Sequence, residues 1–233
     1  MRDSRIRVLL HPKLEPHEAK AAVEAAERFS KYGLRAESIT EPRENLWKDL
    51  CRKNVYDVIF GEGPISLHGY EPLGRPAFYC HVPHDGALLA GLTPHKIFHS
   101  TDGKRVELEG FNMHYVGAVV SAFHFKPSGD NPYRKGGPAG PAEASEAITL
   151  SLMHELGHAL LGREQVQALF GAKDKPKRYD EDGHCLTSGC LMQNVADYVA
   201  LARSAAAQRI EFCEGCADQI GGRVSELRYY AMA

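Results

Sequence analysis

No hydrophobic run in this chain approaches the roughly 18 residues that a membrane span requires, and the first twelve residues hold only Val8-Leu9-Leu10 between charged positions. The N-terminus therefore reads as a first strand rather than an export signal, and a reducing, cytoplasmic setting is expected. An excess of one charge is lacking too. Lys and Arg number 28 against 30 Asp and Glu, a net charge of −2, so no basic face points to nucleic acid or an anionic membrane. The chain has no glycine-rich phosphate loop, no Ser-nucleophile elbow, no internal repeat and no low-complexity tract. What remains is an ordinary globular composition of 233 residues, 43% hydrophobic and 25% charged, enough for one sizeable core. Partners have to be read from local chemistry, and the oligomeric state is not legible.

The first third alternates strand and helix patterns. A strand is expected at 6–10, an Ala-rich helix at 15–32 closed by Gly33, a second strand at 34–39, a short helix at 45–53 and a third strand at 56–60. That alternation argues for an α/β sheet. Residues 71–101 are broken by Pro and Gly and read as irregular. Residues 105–109 suit an exposed edge strand, 115–125 a buried one, and the Pro- and Gly-rich 126–141 a loop. A long helix follows at 142–161, with Ile148, Leu152, Leu156 and Leu160 on one stripe and Leu150 and Leu161 elsewhere, so it is expected to be buried on most of its circumference. A further helix is expected at 194–210.

The chemistry concentrates on that long helix. Residues four apart share a helix face, so His154 and His158 can hold one metal ion while Glu155 reaches a water on it. Two imidazoles do not complete a catalytic zinc site, which takes three protein ligands and keeps a fourth position for water. Glu164, His184, Asp180 and Asp182 are all candidates for the third ligand. Cys185, Cys190, Cys213 and Cys216 have the spacings C-x4-C and C-x2-C, which suit a second, structural zinc held by four thiolates. Disulfides, or a redox pair at Cys213 and Cys216, are the other readings.

Taken together, His154-Glu155-Leu156-Gly157-His158, His184-Cys185, Cys190-Leu191-Met192 and Cys213-Glu214-Gly215-Cys216 resemble the archaemetzincins, also called archaelysins. The register departs from the metzincin pattern. Gly162 falls one place late, and Glu164 occupies the usual third-ligand position. The resemblance implies that Gly162 ends the helix, that 163–183 is a charged surface insertion, and that His184 is the displaced third ligand. It also implies that Met192 forms a hydrophobic floor beneath the catalytic metal, and that the four cysteines bind the structural zinc. The implied fold is α/β and metzincin-like. It has a twisted mixed sheet, a central active-site helix, an N-terminal subdomain over 1–162 and a small zinc-stabilised C-terminal subdomain over 163–233.

The expected activity is that of a metallopeptidase with two zinc ions, hydrolysing peptide or protein substrates through a zinc-activated water, with Glu155 as general base and the peptide extended along strand 105–109. The alternatives are a zinc-stabilised binding or regulatory protein without peptidase activity, and an enzyme dedicated to one partner. Tyr198 reads as an ordinary helix tyrosine, His81 and His84 as loop residues, and Cys51 and Cys80 as inert thiols.

Overall fold

A computed structural model describes residues 4–40, 87–101, 104–113, 117–126, 139–170, 178–180, 183–205 and 210–230. The expected helix at 45–53 and strand at 56–60, with Cys51, Cys80, His81 and His84, lie outside these. β1 (Arg5–Leu10) leads into α1 (Pro16–Glu27), which starts with proline in its first turn and with the Glu18 carboxylate accepting from the Glu15 N–H at 2.8 Å. A 3-10 turn (Arg28–Tyr32) ends at Gly33, whose φ of 86° is the left-handed cap that glycine allows. The chain then returns as β2 (Arg35–Thr40), parallel to β1.

The strands β3 (Leu88–Thr93), β4 (Ile97–Thr101), β5 (Lys104–Leu108), β6 (Gly110–Met113) and β7 (Gly117–Ser121) follow. The main sheet has the order β2-β1-β3-β7-β6, parallel except for β6, which pairs antiparallel with β7. One expectation is corrected here. Residues 87–101 are not irregular, because Leu88–Thr93 is a fully buried strand between β1 and β7. A parallel strand covered on both faces shows a continuous apolar run without alternation. The strand near 105 is an edge strand as expected, β5 pairing with β4 in a two-stranded sheet apart from the main one. One edge of the main sheet itself is β6.

Gly117 has a φ of 145°, and a Cβ there would overlap the Leu89 backbone, so glycine is what lets β7 enter beside β3. After a 3-10 turn (Ala122–Phe125), α2 (Pro141–Phe170) crosses the sheet. Ile148, Leu150, Leu152, Leu156, Leu160 and Leu161 are all fully buried, as expected of a helix covered on nearly every side. It contacts α1, β6, β7, α3 (Tyr198–Ala205) and α4 (Glu214–Tyr230).

Gly162 does not end this helix, which runs on to Phe170. One interior glycine costs only about 1 kcal/mol relative to alanine, and 163–170 are otherwise helix formers. α3 is shorter than the expected 194–210. It begins where Asp197 Oδ1 accepts from the N–H groups of Val199 and Ala200, both at 3.0 Å, an N-cap arrangement. α4 has no counterpart among the sequence expectations. No helix among the described residues is long and apolar enough to cross a membrane.

Candidate metal centre

α2 carries His154 and His158 one turn apart, and the chain beyond it folds back to bring a third imidazole against them. The ring centroids of His154 and His158 are 4.5 Å apart, those of His154 and His184 5.5 Å, and those of His158 and His184 5.1 Å. One nitrogen from each ring lies within 4.8 Å of the others. His154 Nδ1 donates to the Leu191 carbonyl at 2.7 Å, which leaves its Nε2 without a proton and 2.9 Å from His158 Nε2. Burial, then the neighbouring His158, pushes the His154 pKa down to about 3. The ring therefore stays neutral at working pH, the form that binds a metal.

His184 is presented where residues 178–180 pair with 184–186. Tyr179 and Cys185 form an antiparallel bridge, the Asp180 N–H donates to the His184 carbonyl at 2.9 Å, and Gly183 turns the chain with a φ of 84°. Asp180, one of the rival ligands, is occupied otherwise. Its Oδ1 accepts from the His184 N–H at 2.8 Å and lies 3.5 Å from His184 Nδ1. Glu164 lies on α2 beyond Gly162, and Asp182 is outside the described residues.

Glu155 sits beside the imidazoles on α2, and burial raises its carboxyl to about 7 against the opposing hydrogen bond from Asn112 and the charge of His184. Below the triad runs the turn 190–193, closed by the Gln193 N–H to the Cys190 carbonyl at 3.0 Å. It places the fully buried Met192 against Gly157 of the helix, where the absence of a side chain makes room for the sulfur. Tyr198, read as an ordinary helix tyrosine, starts α3 with its ring 5.8 Å from that of His154. Burial, then the Glu155 and Glu109 carboxylates, raises its phenol.

The four cysteines form a second cluster. Their Sγ atoms lie within 4.8 Å of one another, and all four are free thiols, with Cys185 and Cys213 Sγ at 3.8 Å. The N–H groups of Thr187 and Cys213 donate to Cys185 Sγ at 3.4 Å and Cys190 Sγ at 3.3 Å. Hydrogen bonding from Cys216 pushes Cys190 down to about 5 against its burial. Arg178 Nη2 donates to Cys213 Sγ at 3.8 Å while lying over Gly215, and the Tyr179 hydroxyl is 3.6 Å from Cys216 Sγ.

Both donor sets suit zinc: three imidazoles, of which His154 has its tautomer fixed by the Leu191 carbonyl, and four sulfurs within 4.8 Å of one another, the Cys185–Cys213 separation of 3.8 Å being close to the edge of a tetrahedron with Zn–S bonds of about 2.3 Å. Asn112, Gly110, Gly157, Leu191, Arg178 and Tyr179 escape sequence reasoning. They reach these clusters through strand register and turn geometry, which leave no periodic signal.

No protein-family model matches the chain, and no curated protein matches it. Among solved structures, the archaemetzincin of Methanopyrus kandleri is similar at 16% identity and a TM-score of 0.52, covering 96% of this chain and 97% of that one. A zinc-dependent peptidase of Methanocorpusculum labreanum is similar at 18% identity and a TM-score of 0.50, covering 92% and 99%. The chain therefore shares the α/β fold of these two structures over nearly its whole length.

Proposed function

We propose that this chain is a zinc-dependent peptidase of the archaemetzincin type, with His154, His158 and His184 holding a catalytic zinc and Cys185, Cys190, Cys213 and Cys216 a structural one. The observation that carries this is the meeting of three imidazoles from distant segments beside a carboxylate on the same helix. Shared architecture with an archaemetzincin and a zinc-dependent peptidase supports it. A bound zinc with a free coordination position lowers the pKa of its water toward about 7 and polarises a carbonyl oxygen.

The protein's own part falls to Glu155. Its carboxylate takes the proton from the attacking water and delivers it to the amine that leaves. Water is the nucleophile, so no acyl-enzyme forms. The peptide lies extended beside an edge strand, and β6, which borders α2 at one edge of the main sheet, is preferred to 105–109 for orienting it through main-chain hydrogen bonds. Leu191 steadies the ring of His154, Asp180 holds the backbone of His184 and lies near its ring, and Met192 supplies an apolar floor. The C-terminal part, 163–233, shares α2 with the N-terminal part, since that helix runs past 162 to Phe170, and the cysteine cluster stabilises it.

The test is metal analysis together with cleavage of a quenched peptide library by the native chain and Glu155→Gln. Two zinc ions per chain in both, with turnover only in the native chain, is the expected result. Zinc-loaded native protein that cleaves nothing would replace this reading with the zinc-stabilised binding module. Unchanged cleavage by Glu155→Gln would remove Glu155 as the base.

A further inference from the structure

β6 runs beside α2, and residues two apart on a strand share a face. Gly110 and Asn112 therefore turn the same way, and both meet one side chain. Asn112 Nδ2 donates to Glu155 Oε2 at 2.6 Å. A Cβ built on Gly110 would lie 2.8 Å from Glu155 Cγ and 3.0 Å from Glu155 Oε1, so the carboxylate and its stem occupy the space that any other residue's side chain would fill. One oxygen is tied to an amide, and the other rests against bare backbone.

We infer that Asn112 is a positioning residue for Glu155, with Gly110 providing the niche, so that the base is held in one orientation before a peptide arrives. This rests on the peptidase reading, which gives the orientation its consequence. A glutamate has three side-chain torsions, and a freely rotating carboxylate loses that freedom when it engages the attacking water. Fixing it beforehand removes the loss from the reaction barrier.

The chemistry of the tether suits the role. An amide N–H donates to a carboxylate but does not take up the proton the base must carry, and it brings no charge that would pair with and disable the base. Oε2 is engaged by Asn112, which leaves Oε1 as the oxygen that exchanges the proton. The same strand offers its main chain to the peptide, so the base and the substrate are registered against one element.

The decisive variant is Asn112→Asp, which keeps the shape of the side chain and turns its donor into a second carboxylate. Asn112→Ala and Gly110→Ala accompany it. The measurements are zinc per chain, kcat and KM for a peptide cleaved by the native enzyme, and the affinity for acetohydroxamate read from the visible band of the cobalt-substituted protein. Zinc content and KM should stay within about twofold of native, while kcat falls about tenfold or more, the scale of a lost hydrogen bond to a charged group.

Hydroxamate affinity should weaken in the same order as kcat, with Asn112→Asp the most affected, because the bound ligand also needs an oriented Glu155. A native kcat and hydroxamate affinity in Asn112→Asp would overturn the inference, and so would a loss confined to KM or to zinc content, which marks a scaffold role. If the zinc-loaded native chain cleaves no peptide, the peptidase reading fails while the hydroxamate titration still decides the positioning role. A native chain that takes up no metal at the three histidines overturns both.

Discussion

Gly157 and Met192 are a matched pair: the methionine sulfur occupies the place where a side chain on residue 157 would begin, and Phe212 presses in beside it at 2.9 Å from that same point. Alanine is intrinsically better in a helix than glycine by about 1 kcal/mol. Overpacking a tight core costs about 1–3 kcal/mol. Because the clash is with two buried residues, the second effect wins. Gly157→Ala is expected to lower the unfolding midpoint in denaturant and to weaken zinc retention at the histidines, since Met192 is the neighbour of Leu191. A midpoint raised above native would refute this.

The cysteine cluster predicts a different loss. Cys213→Ser should reduce the metal content by one zinc per chain and lower the melting temperature, because structural zinc contributes of the order of 10 kcal/mol to small metal-dependent folds. Peptide cleavage should fall as well, since Cys185 adjoins His184 in the same paired segment. Full zinc content in this variant, measured by plasma emission, would show that the thiolate is not a ligand.

Asp180 holds the backbone of His184 and approaches its ring. Carboxylates that orient a ligating histidine change metal affinity by about tenfold or more when removed. Asp180→Ala should therefore raise the zinc dissociation constant for the histidine site in a chelator competition by about that factor, leaving the cysteine site unchanged. Equal affinities in the two proteins would discount the carboxylate.

At the start of α2, the Glu143 carboxylate accepts from Arg203 Nε at 3.1 Å and from the Gly140 N–H at 3.0 Å. The Arg203 guanidinium, then the Gly140 N–H, holds its pKa below the ordinary 4.5. A depressed folded-state pKa stabilises the fold above the unfolded value, and that contribution disappears as pH falls through the folded value. Native protein should thus melt above Glu143→Gln at neutral pH, with the difference shrinking as pH falls below 4.5 and through the lowered folded value. A difference that persists unchanged at pH 3 would contradict the pairing.

Some of this was legible in residues alone. β1, α1 and β2 announce themselves through apolar pattern and a glycine stop, and α2 through its unbroken apolar periodicity. The pairing of His154 with His158 follows from helical spacing. β3 did not announce itself, because Leu88–Thr93 is sealed on both faces and carries no alternation. α4 was missed for the opposite reason. Gly215, Gly221 and Gly222 dilute a weakly amphipathic stretch, and its helix is set by packing on α2. The register that lays Asn112 against Glu155 depends on where β6 pairs with β7, a long-range property with no local trace.

His184 and Cys185 are consecutive residues of one extended segment, so their side chains leave it toward opposite sides, one into the nitrogen cluster and one into the sulfur cluster. An ion held by the sulfurs would immobilise the same peptide unit that aims the imidazole. A constraint on either cluster is thereby passed to the other through one backbone link.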